Sequence, residues 1–192
     1  MRLILLRHPK PRCEPGLCYG RLDLECEVQA LETAVSRLRD AAAKARIVSS
    51  PARRAFDLAS RLAPDATADP RLQELDFGDW EGRRWQDLGR EAIDAWREGL
   101  PDSAPPNGET LTAMAARCAD WIASLDSASR PVLAVTHAGP IRVIRAMIEG
   151  HPLLTYFTAA VPFAEPIELR LERESENAAA GPPVCVRPTI HT

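Results

Sequence analysis

Residues 3–8 read LILLRH, and this short run is the strongest indication of the architecture. Four consecutive apolar residues are typical of a strand that is buried on both faces, as in a parallel sheet covered by helices. Residues 46–50 (RIVSS) and 131–137 (PVLAVTH) have the same form, a short apolar run that ends in polar residues. Because parallel strands end at the same edge of a sheet, we expect these polar residues to meet in one crevice.

Helical patterns separate these strands. Apolar spacing of three and four residues predicts a helix over about 28–44, and similar patterns recur over about 84–98 and 110–125. Pro51, with Ser50 as the N-cap, predicts a helix that ends near residue 62, and Pro140 predicts one that ends near residue 149. A last strand is expected at about 166–171. Alternating strands and helices predict an α/β fold, a three-layer α/β/α sandwich with a mostly parallel sheet.

Length and composition indicate one domain. The chain has 192 residues, and we expect residues 1–173 to form the domain and the Ala-, Pro- and Glu-rich residues 174–192 to be a poorly packed tail. Its 24 Lys and Arg residues are balanced by 27 Asp and Glu residues, which argues against a nucleic-acid-binding or polybasic membrane-binding protein. We find no apolar run long enough to span a bilayer and no signal peptide, so we expect a cytoplasmic protein.

The five cysteines give little indication of a metal site or a disulfide framework. Their number is odd, and none are spaced as Cys-x-x-Cys. We therefore expect free thiols in a reducing compartment. The five positions are Cys13, Cys18, Cys26, Cys118 and Cys185.

Two histidines at strand ends, His8 and His137, suggest a site for phosphate chemistry. Arg7 precedes the first of them, and another arginine follows the Ser-Ser-Pro turn. A neutral imidazole is able to attack phosphorus, and arginine forks suit the oxygens of a phosphoryl group. A carboxylic acid is needed to protonate the leaving oxygen, and Glu74 and Glu81 are the candidates. Such a site requires no metal and no cofactor, since the arginines neutralise the phosphate charge.

At these residues the sequence resembles the histidine phosphatase superfamily, which has the phosphoglycerate-mutase-like fold. Residues 3–8 resemble the opening motif of the family, which implies His8 as the nucleophile and Arg7 as a phosphate ligand. Residues 49–55 (SSPARRA) match a second motif, which implies Arg54 as the second phosphate arginine. Because adjacent helical residues point about 100° apart, we expect only one of Arg53 and Arg54 to face the pocket.

Two further motifs complete the resemblance, which covers about residues 1–172. Residues 72–82 (LQELDFGDWEG) are similar to the segment whose first glutamate is the proton donor, which implies Glu74 in that role and leaves Glu81 structural. Residues 136–142 (THAGPIR) resemble the segment of the second histidine, which implies His137 as a phosphate contact. Beyond these motifs, we expect Trp80, Trp85 and Trp96 to pack in the core and Arg142 and Arg145 to face solvent.

Within the superfamily, residues 16–23 (GLCYGRLD) resemble a loop of the α-ribazole phosphatases, and the short chain agrees with that subfamily. The resemblance implies substrate-binding roles for Tyr19, Gly20 and Arg21, and for Ala138 beside the second histidine.

Two positions depart from the family pattern. Pro9 stands where the family usually has glycine, and it offers no backbone N–H to a phosphate. Glu14 stands where an asparagine is expected, and its carboxylate would repel phosphate unless the loop follows another path. Lys10 or Arg21 are candidates to compensate for that charge.

The sequence therefore predicts a metal-independent phosphomonoesterase that acts through a phosphohistidine on a small phosphorylated metabolite, with α-ribazole 5′-phosphate as the specific candidate. Phosphoglycerate mutase-type transfer is one alternative. A catalytically weak pseudo-phosphatase that binds a phosphorylated ligand or a protein is another, motivated by Pro9 and Glu14.

Overall fold

A five-stranded sheet forms the centre of the protein. The computed structural model describes residues 1–126 and 130–172, so the predicted tail at 174–192 lies outside the described residues. In spatial order the strands are β3-β2-β4-β1-β5, and all pair in parallel except β5, which is antiparallel to β1. The strands are β1 (Arg2–Arg7), β2 (Arg46–Ser49), β3 (Thr67–Ala68), β4 (Val132–Thr136) and β5 (Pro166–Arg170).

Among residues 1–126 and 130–172, five α-helices cover this sheet, and short 3₁₀ turns lie at Pro70–Leu72, Gly78–Trp80, Trp85–Asp87 and Leu153–Tyr156. The α-helices are α1 (Val28–Ala42), α2 (Arg53–Leu62), α3 (Arg90–Glu98), α4 (Leu111–Ala123) and α5 (Ala138–Ile148).

The buried side chains form two layers of core, one on each face of the sheet. In β1, Leu3 and Leu5 belong to the layer that includes Met114 of α4 and Ile141 of α5. The alternate residues of β1 belong to the opposite layer, which includes buried residues of α1 and α2. Since successive strand side chains point to opposite faces, one apolar run fills both layers. The predicted α/β/α sandwich with a mostly parallel sheet is confirmed.

Some predicted boundaries were wrong. The helix predicted over 84–98 begins only at Arg90, after the 3₁₀ turn Trp85–Asp87, because Gly89 has a φ of +83° that interrupts a right-handed helix. Helix α5 begins at Ala138, two residues before Pro140, since a proline is tolerated in the first turn of a helix. The two-residue strand β3 was not predicted, because two residues carry no periodicity.

Ser50 is not the N-cap of the helix that follows it. Helix α2 begins at Arg53, and the preceding Ala52 provides no side-chain cap. The Ser50 hydroxyl accepts from the N–H of Ala52 at 3.3 Å, ahead of the helix, and it also lies 2.8 Å from His137 Nε2.

Of the helices in residues 1–126 and 130–172, none is long and apolar enough to cross a membrane.

Candidate active site

Three parallel strands deliver polar residues to one edge of the sheet. His8 follows β1, Ser50 follows β2 and His137 follows β4. The backbone ladder continues into these residues, with the N–H of His8 donating to Thr136 O and the N–H of Ser50 donating to Val135 O, both at 2.9 Å. The two imidazole rings lie with centroids 5.0 Å apart. The structure therefore brings together the strand ends that the sequence predicted to meet.

The hydrogen bonding of His8 defines which nitrogen is available for chemistry. Its Nδ1 lies 2.7 Å from the carbonyl oxygen of Pro9. A carbonyl oxygen only accepts, so Nδ1 carries the proton and Nε2 keeps its lone pair. Burial lowers the pKa of His8 to about 3, and the positive charge of Arg54 acts in the same direction. The imidazole is therefore neutral at physiological pH, with an unprotonated Nε2.

The structure shows the surroundings of both residues that depart from the family pattern. Pro9 lacks an N–H, but its carbonyl oxygen is the group that orients His8. The Glu14 side chain is 75% exposed and forms a 3.8 Å ion pair with Arg84, so its loop does take a path that leaves the carboxylate in solvent. Lys10 is paired with Glu27 at 2.7 Å, so its charge is already partnered.

Two arginines present unpartnered nitrogen atoms near the histidines. The fully buried Arg54 donates to the carbonyl oxygens of Gly20 and Leu22, and its Nε has no partner among the described residues. Arg7 donates to Val161 O at 2.7 Å, and its Nε is also unpartnered among those residues. An anion with several oxygen acceptors would supply the missing partners.

The adjacent Arg53 is exposed and pairs with Glu25 at 2.7 Å. Only one of the two arginines therefore faces inward, as predicted.

His137 is completely buried between these groups. Its Nε2 contacts the Ser50 hydroxyl, and its Nδ1 is another buried nitrogen without a partner in the described part of the chain. Burial holds the pKa of His137 well below its usual value, and His8 and Arg54 lower it further. His137 is therefore a neutral group with one ring nitrogen left for a ligand.

The carboxylate of Glu74 lies at the amino terminus of α5, beside Gly139, which is two residues after His137. The N–H of Gly139 donates to its two oxygens at 3.0 and 3.2 Å, and the N–H of Leu75 donates at 3.1 Å. The positive end of the helix dipole favours a carboxylate at this point. A Cβ atom at position 139 would lie 2.1 Å from Glu74 Oε1, so only glycine allows this contact.

The segment that carries Glu74 is held by Arg117 of α4. This guanidinium donates to the carbonyl oxygens of Arg71, Gln73 and Glu74 at 2.7 to 3.1 Å, and it pairs with Glu109 at 2.7 Å. Burial opposes the charge of Arg117, but the hydrogen bonds and charge of Glu109 raise its pKa. Sequence reasoning missed Arg117, because no motif links it to a segment more than 40 residues earlier.

The predicted specificity loop, residues 16–23, packs against the Glu74 segment. Tyr19 is half-buried, with its ring 5.4 Å from the Arg54 guanidinium. Arg21 donates to Glu74 O at 3.0 Å and to the side-chain oxygen of Gln73 at 2.8 Å. Gly20 has no room for a side chain, since a Cβ would lie 1.8 Å from Leu75 O.

The substrate-binding roles of Tyr19, Gly20 and Arg21 stay predictions. The same is true of Ala138, a buried residue that is the first of α5.

Glu81 braces the same loop, as its predicted structural role requires. Its carboxylate accepts from the N–H groups of Arg21 at 2.6 Å, Leu22 at 2.5 Å and Phe77 at 3.1 Å. With three backbone donors, Glu81 links residues 16–23 to the segment that contains Glu74.

A cavity of about 480 Å³ opens beside Glu74. Glu74, Gly139 and Arg142 form its border with the site just described. Most of the other side chains that line the cavity are apolar or aromatic, and they come from α3, α4, α5 and the neighbouring loops: Leu75, Phe77, Trp85, Ile93, Trp96, Leu111, Met114, Val143, Leu153 and Phe157.

The structure corrects the prediction for Arg142. It is half-buried rather than directed to solvent, because its Nε donates to Ala159 O at 2.9 Å across the edge of the cavity. Burial lowers the pKa of Arg142, and the charge of Glu74 opposes that change. Arg145 lies on the surface in an ion pair with Glu149, as predicted.

Trp80 and Trp96 are buried as predicted, while Trp85 is only half-buried and lines the cavity.

Metal ligands are not clustered in the described chain. Residues 1–126 and 130–172 contain no group of three or more His, Cys, Asp or Glu side chains placed to hold a metal ion. Cys13, Cys18, Cys26 and Cys118 are free thiols, and Cys185 lies outside the described residues.

This fold and this arrangement of two histidines, two arginines and a glutamate correspond to a known class of protein. Residues 3–179 match the histidine phosphatase superfamily (branch 1). The chain belongs to that superfamily, and the family predicted from its four motifs is confirmed.

Two of the similar curated proteins are phosphatases. The chain is 31% identical over 175 residues to a glucosyl-3-phosphoglycerate phosphatase of Mycobacterium tuberculosis, covering 81% of this chain and 78% of the relative. It is 29% identical over 164 residues to the adenosylcobalamin/α-ribazole phosphatase of Escherichia coli, covering 79% and 81%.

A solved structure agrees with these relatives. The complex of a mycobacterial glucosyl-3-phosphoglycerate phosphatase with VO3 has a TM-score of 0.76 and 30% identity, covering 88% of this chain and 92% of that one. The chain is therefore similar to both kinds of phosphatase at comparable identity.

Proposed function

We propose that this protein is a phosphomonoesterase that acts through a phosphohistidine formed on His8, with a small phosphorylated metabolite as substrate. The observation that carries the proposal is the state of His8. It is buried and neutral, and its Nδ1–H is fixed by Pro9 O, which leaves Nε2 as the nucleophile. The unpartnered nitrogens of Arg7, Arg54 and His137 surround it with groups suited to phosphate oxygens.

The first step transfers the phosphoryl group to the enzyme. The lone pair of His8 Nε2 forms a bond to phosphorus while the bond from phosphorus to the ester oxygen breaks. That oxygen keeps the electron pair and takes a proton from the carboxylic acid of Glu74, which releases the alcohol. Arg7, Arg54 and His137 hold the three remaining phosphoryl oxygens.

The second step returns the enzyme to its starting state. The Glu74 carboxylate accepts a proton from water as the water oxygen attacks phosphorus. The phosphorus–nitrogen bond breaks, and its electron pair returns to Nε2. The product is inorganic phosphate, and Glu74 is again protonated. Neither step calls on a metal ion, since guanidinium groups supply the positive charge.

Two relatives indicate the substrates to be tested first. Their names point to α-ribazole phosphate and to glucosyl-3-phosphoglycerate. We propose α-ribazole 5′-phosphate as the specific substrate, since residues 16–23 resemble the loop of that subfamily.

The test is steady-state phosphate release from a panel of monoesters. The panel contains α-ribazole 5′-phosphate, glucosyl-3-phosphoglycerate, 3-phosphoglycerate and an aryl phosphate, each assayed with and without EDTA. We expect turnover that EDTA leaves unchanged and that His8→Ala reduces by at least 10³-fold. Thermal unfolding of His8→Ala, matched against His151→Ala on the exposed surface, controls for loss of the fold.

Other results would contradict the proposal in distinct ways. Isomerisation of 3-phosphoglycerate without net phosphate release would favour a mutase. Binding of vanadate without turnover of any ester would favour a pseudo-phosphatase, because vanadate mimics the five-coordinate transition state whether or not an ester is cleaved.

A further inference from the structure

The cavity beside Glu74 is where the organic part of a substrate would lie. Glu74 protonates the ester oxygen in the proposed mechanism, so the group attached to that oxygen extends away from phosphorus past this carboxylate. Glu74 and Gly139 are themselves part of the cavity wall. A volume of about 480 Å³ lies within the range of small-molecule sites, roughly 300–1,000 Å³.

The lining of the cavity selects for apolar rather than polyhydroxylated groups. Ten of the fifteen lining side chains are apolar or aromatic, and Trp85 and Trp96 stack at 6.3 Å between ring centroids. Hydroxyl groups that enter such a space lose their water and find few partners, which disfavours a leaving group that consists only of a sugar or a glycerate. A ribose that carries an aromatic base, as in α-ribazole, still offers a ring system to the cavity. Flat aromatic groups gain from both burial and ring contacts.

We infer that this cavity binds the leaving group of the substrate, and that the leaving group has an apolar, aromatic body. The inference rests on the proposed phosphatase function and adds the chemical class of the ester. It favours a phosphate monoester with an aromatic ring system over phosphosugars and phosphoglycerates.

The test compares esters that differ in ring size but have leaving groups of similar acidity. Phenyl phosphate and 2-naphthyl phosphate form such a pair, and glycerol 2-phosphate serves as the small polar ester. We expect kcat/KM for 2-naphthyl phosphate to exceed that for phenyl phosphate roughly tenfold, because the second ring is buried in the cavity.

A substitution that fills the cavity should remove this preference. Ile93→Trp places a larger side chain in the cavity wall, and Ala92→Trp is the matched control on the exposed face of the same helix. We expect the ratio of the two aryl esters to fall to about one in Ile93→Trp and to stay near ten in Ala92→Trp. Thr158 is an exposed residue that also lines the cavity, so Thr158→Trp is the second filling variant, used if Ile93→Trp does not fold.

The results separate this inference from the proposed function. Similar kcat/KM values for all three esters, with no effect of either filling variant, would overturn the cavity inference and leave the phosphatase intact. If no ester is hydrolysed, calorimetry measures the binding of the two aryl phosphates and tests the cavity inference by itself. Tighter binding of the naphthyl ester that Ile93→Trp abolishes would support the cavity while the phosphatase proposal fails.

Discussion

At the scale of single residues, a backbone contact holds the carboxylate of Glu74, the proposed proton donor. Its two carboxylate oxygens share the N–H of Gly139 at the start of α5, two residues beyond His137. A general acid matters most where the leaving group is a poor one. The role of Glu74 is therefore measurable as a difference between types of ester.

Glu74→Gln should reduce kcat/KM for an alkyl phosphate by about 10²- to 10³-fold and for an aryl phosphate by less than tenfold. The ratio kcat/KM reports the proposed transfer of the phosphoryl group to His8, in which an aryl oxide departs without a proton, whereas an alkoxide does not. The measurement is kcat/KM for glycerol 2-phosphate and for 4-nitrophenyl phosphate with each protein. Equal losses on the two esters would show that Glu74 binds substrate or supports structure instead.

Gly139→Ala provides a second route to the same effect without altering the carboxyl group. A Cβ at this position would displace the Glu74 carboxylate, since only 2.1 Å separates them. The alkyl-to-aryl difference should therefore resemble that of Glu74→Gln. Gly150→Ala controls for a loss of stability alone, because alanine is strained at its φ of +68° while the added Cβ would meet no atom within 4 Å.

Local sequence predicted which residues form this site but not all of the contacts that hold them. His8, Arg54, Glu74 and His137 lie in contiguous motifs, and the structure brings them together at one edge of the sheet or beside it. Ser50 was predicted only as a helix cap. Its contact with His137 was missed because the two residues are 87 positions apart in the sequence. Arg142 was misplaced since its partner, Ala159, lies in an irregular segment that no periodicity locates.

At the scale of structural elements, the segment between Leu72 and Gly78 is neither helix nor strand, yet it carries the proposed acid. An irregular segment lacks a ladder of its own hydrogen bonds, so its backbone oxygens need other partners. Arg117 supplies them from α4, and its 2.7 Å pair with Glu109 fixes the guanidinium.

Arg117→Lys should lower kcat for the alkyl ester by about tenfold or more, with little change in KM. A lysine keeps the charge but is unable to donate to three carbonyl oxygens and a carboxylate in the same planar arrangement. The alkyl-to-aryl comparison used for Glu74 measures the effect, because a loss of stability alone would reduce both activities equally.

Arg71→Lys is the matched control for this variant. Arg71 pairs with Asp69 in the same region, and its side chain does not contact the Glu74 segment in the described structure. Equal behaviour of the two arginine variants would contradict a positioning role for Arg117.

Elements with strong periodicity were predicted well, and elements defined by a single backbone angle were not. The apolar runs of β1, β2 and β4 and the spacing in α1 and α4 agree with the structure to within about two residues. The break between Trp85–Asp87 and α3 depends on the positive φ of Gly89, which the apolar pattern does not report.

At the scale of the whole molecule, folding buries two neutral histidines that would be partly protonated in the unfolded chain at mildly acidic pH. The folded pKa of His8 is lowered to about 3, and that of His137 is also well below 6.5. Between those values and 6.5 the unfolded state binds more protons, so acid favours unfolding. Stability from these groups is present above about pH 6.5 and is lost as the pH falls.

The free energy of unfolding should therefore drop by about 1 to 3 kcal/mol between pH 7.5 and 5.5, at up to about 1.4 kcal/mol per pH unit for each histidine. Urea denaturation in phosphate-free buffer measures it, since a bound anion would alter the histidine pKa values. His8→Gln should remove roughly half of the change.

His151→Gln is the control for this experiment, because His151 is an exposed histidine outside the candidate site. Its unfolding free energy should follow the same pH dependence as the unaltered protein. If His8→Gln also leaves the dependence unchanged, the acid sensitivity arises from other groups.

The contacts of Glu81 limit how the substrate specificity of this fold is changed by exchanging loops. The Glu81 carboxylate ties residues 16–23 to the segment that holds Glu74, the proposed proton donor, and Gly20 lies too close to that segment for any side chain. Grafting residues 16–23 alone from another phosphatase would bring in one of these two contacting segments without the other. A loop exchange between phosphatases therefore has to replace residues 16–23 and 72–82 together.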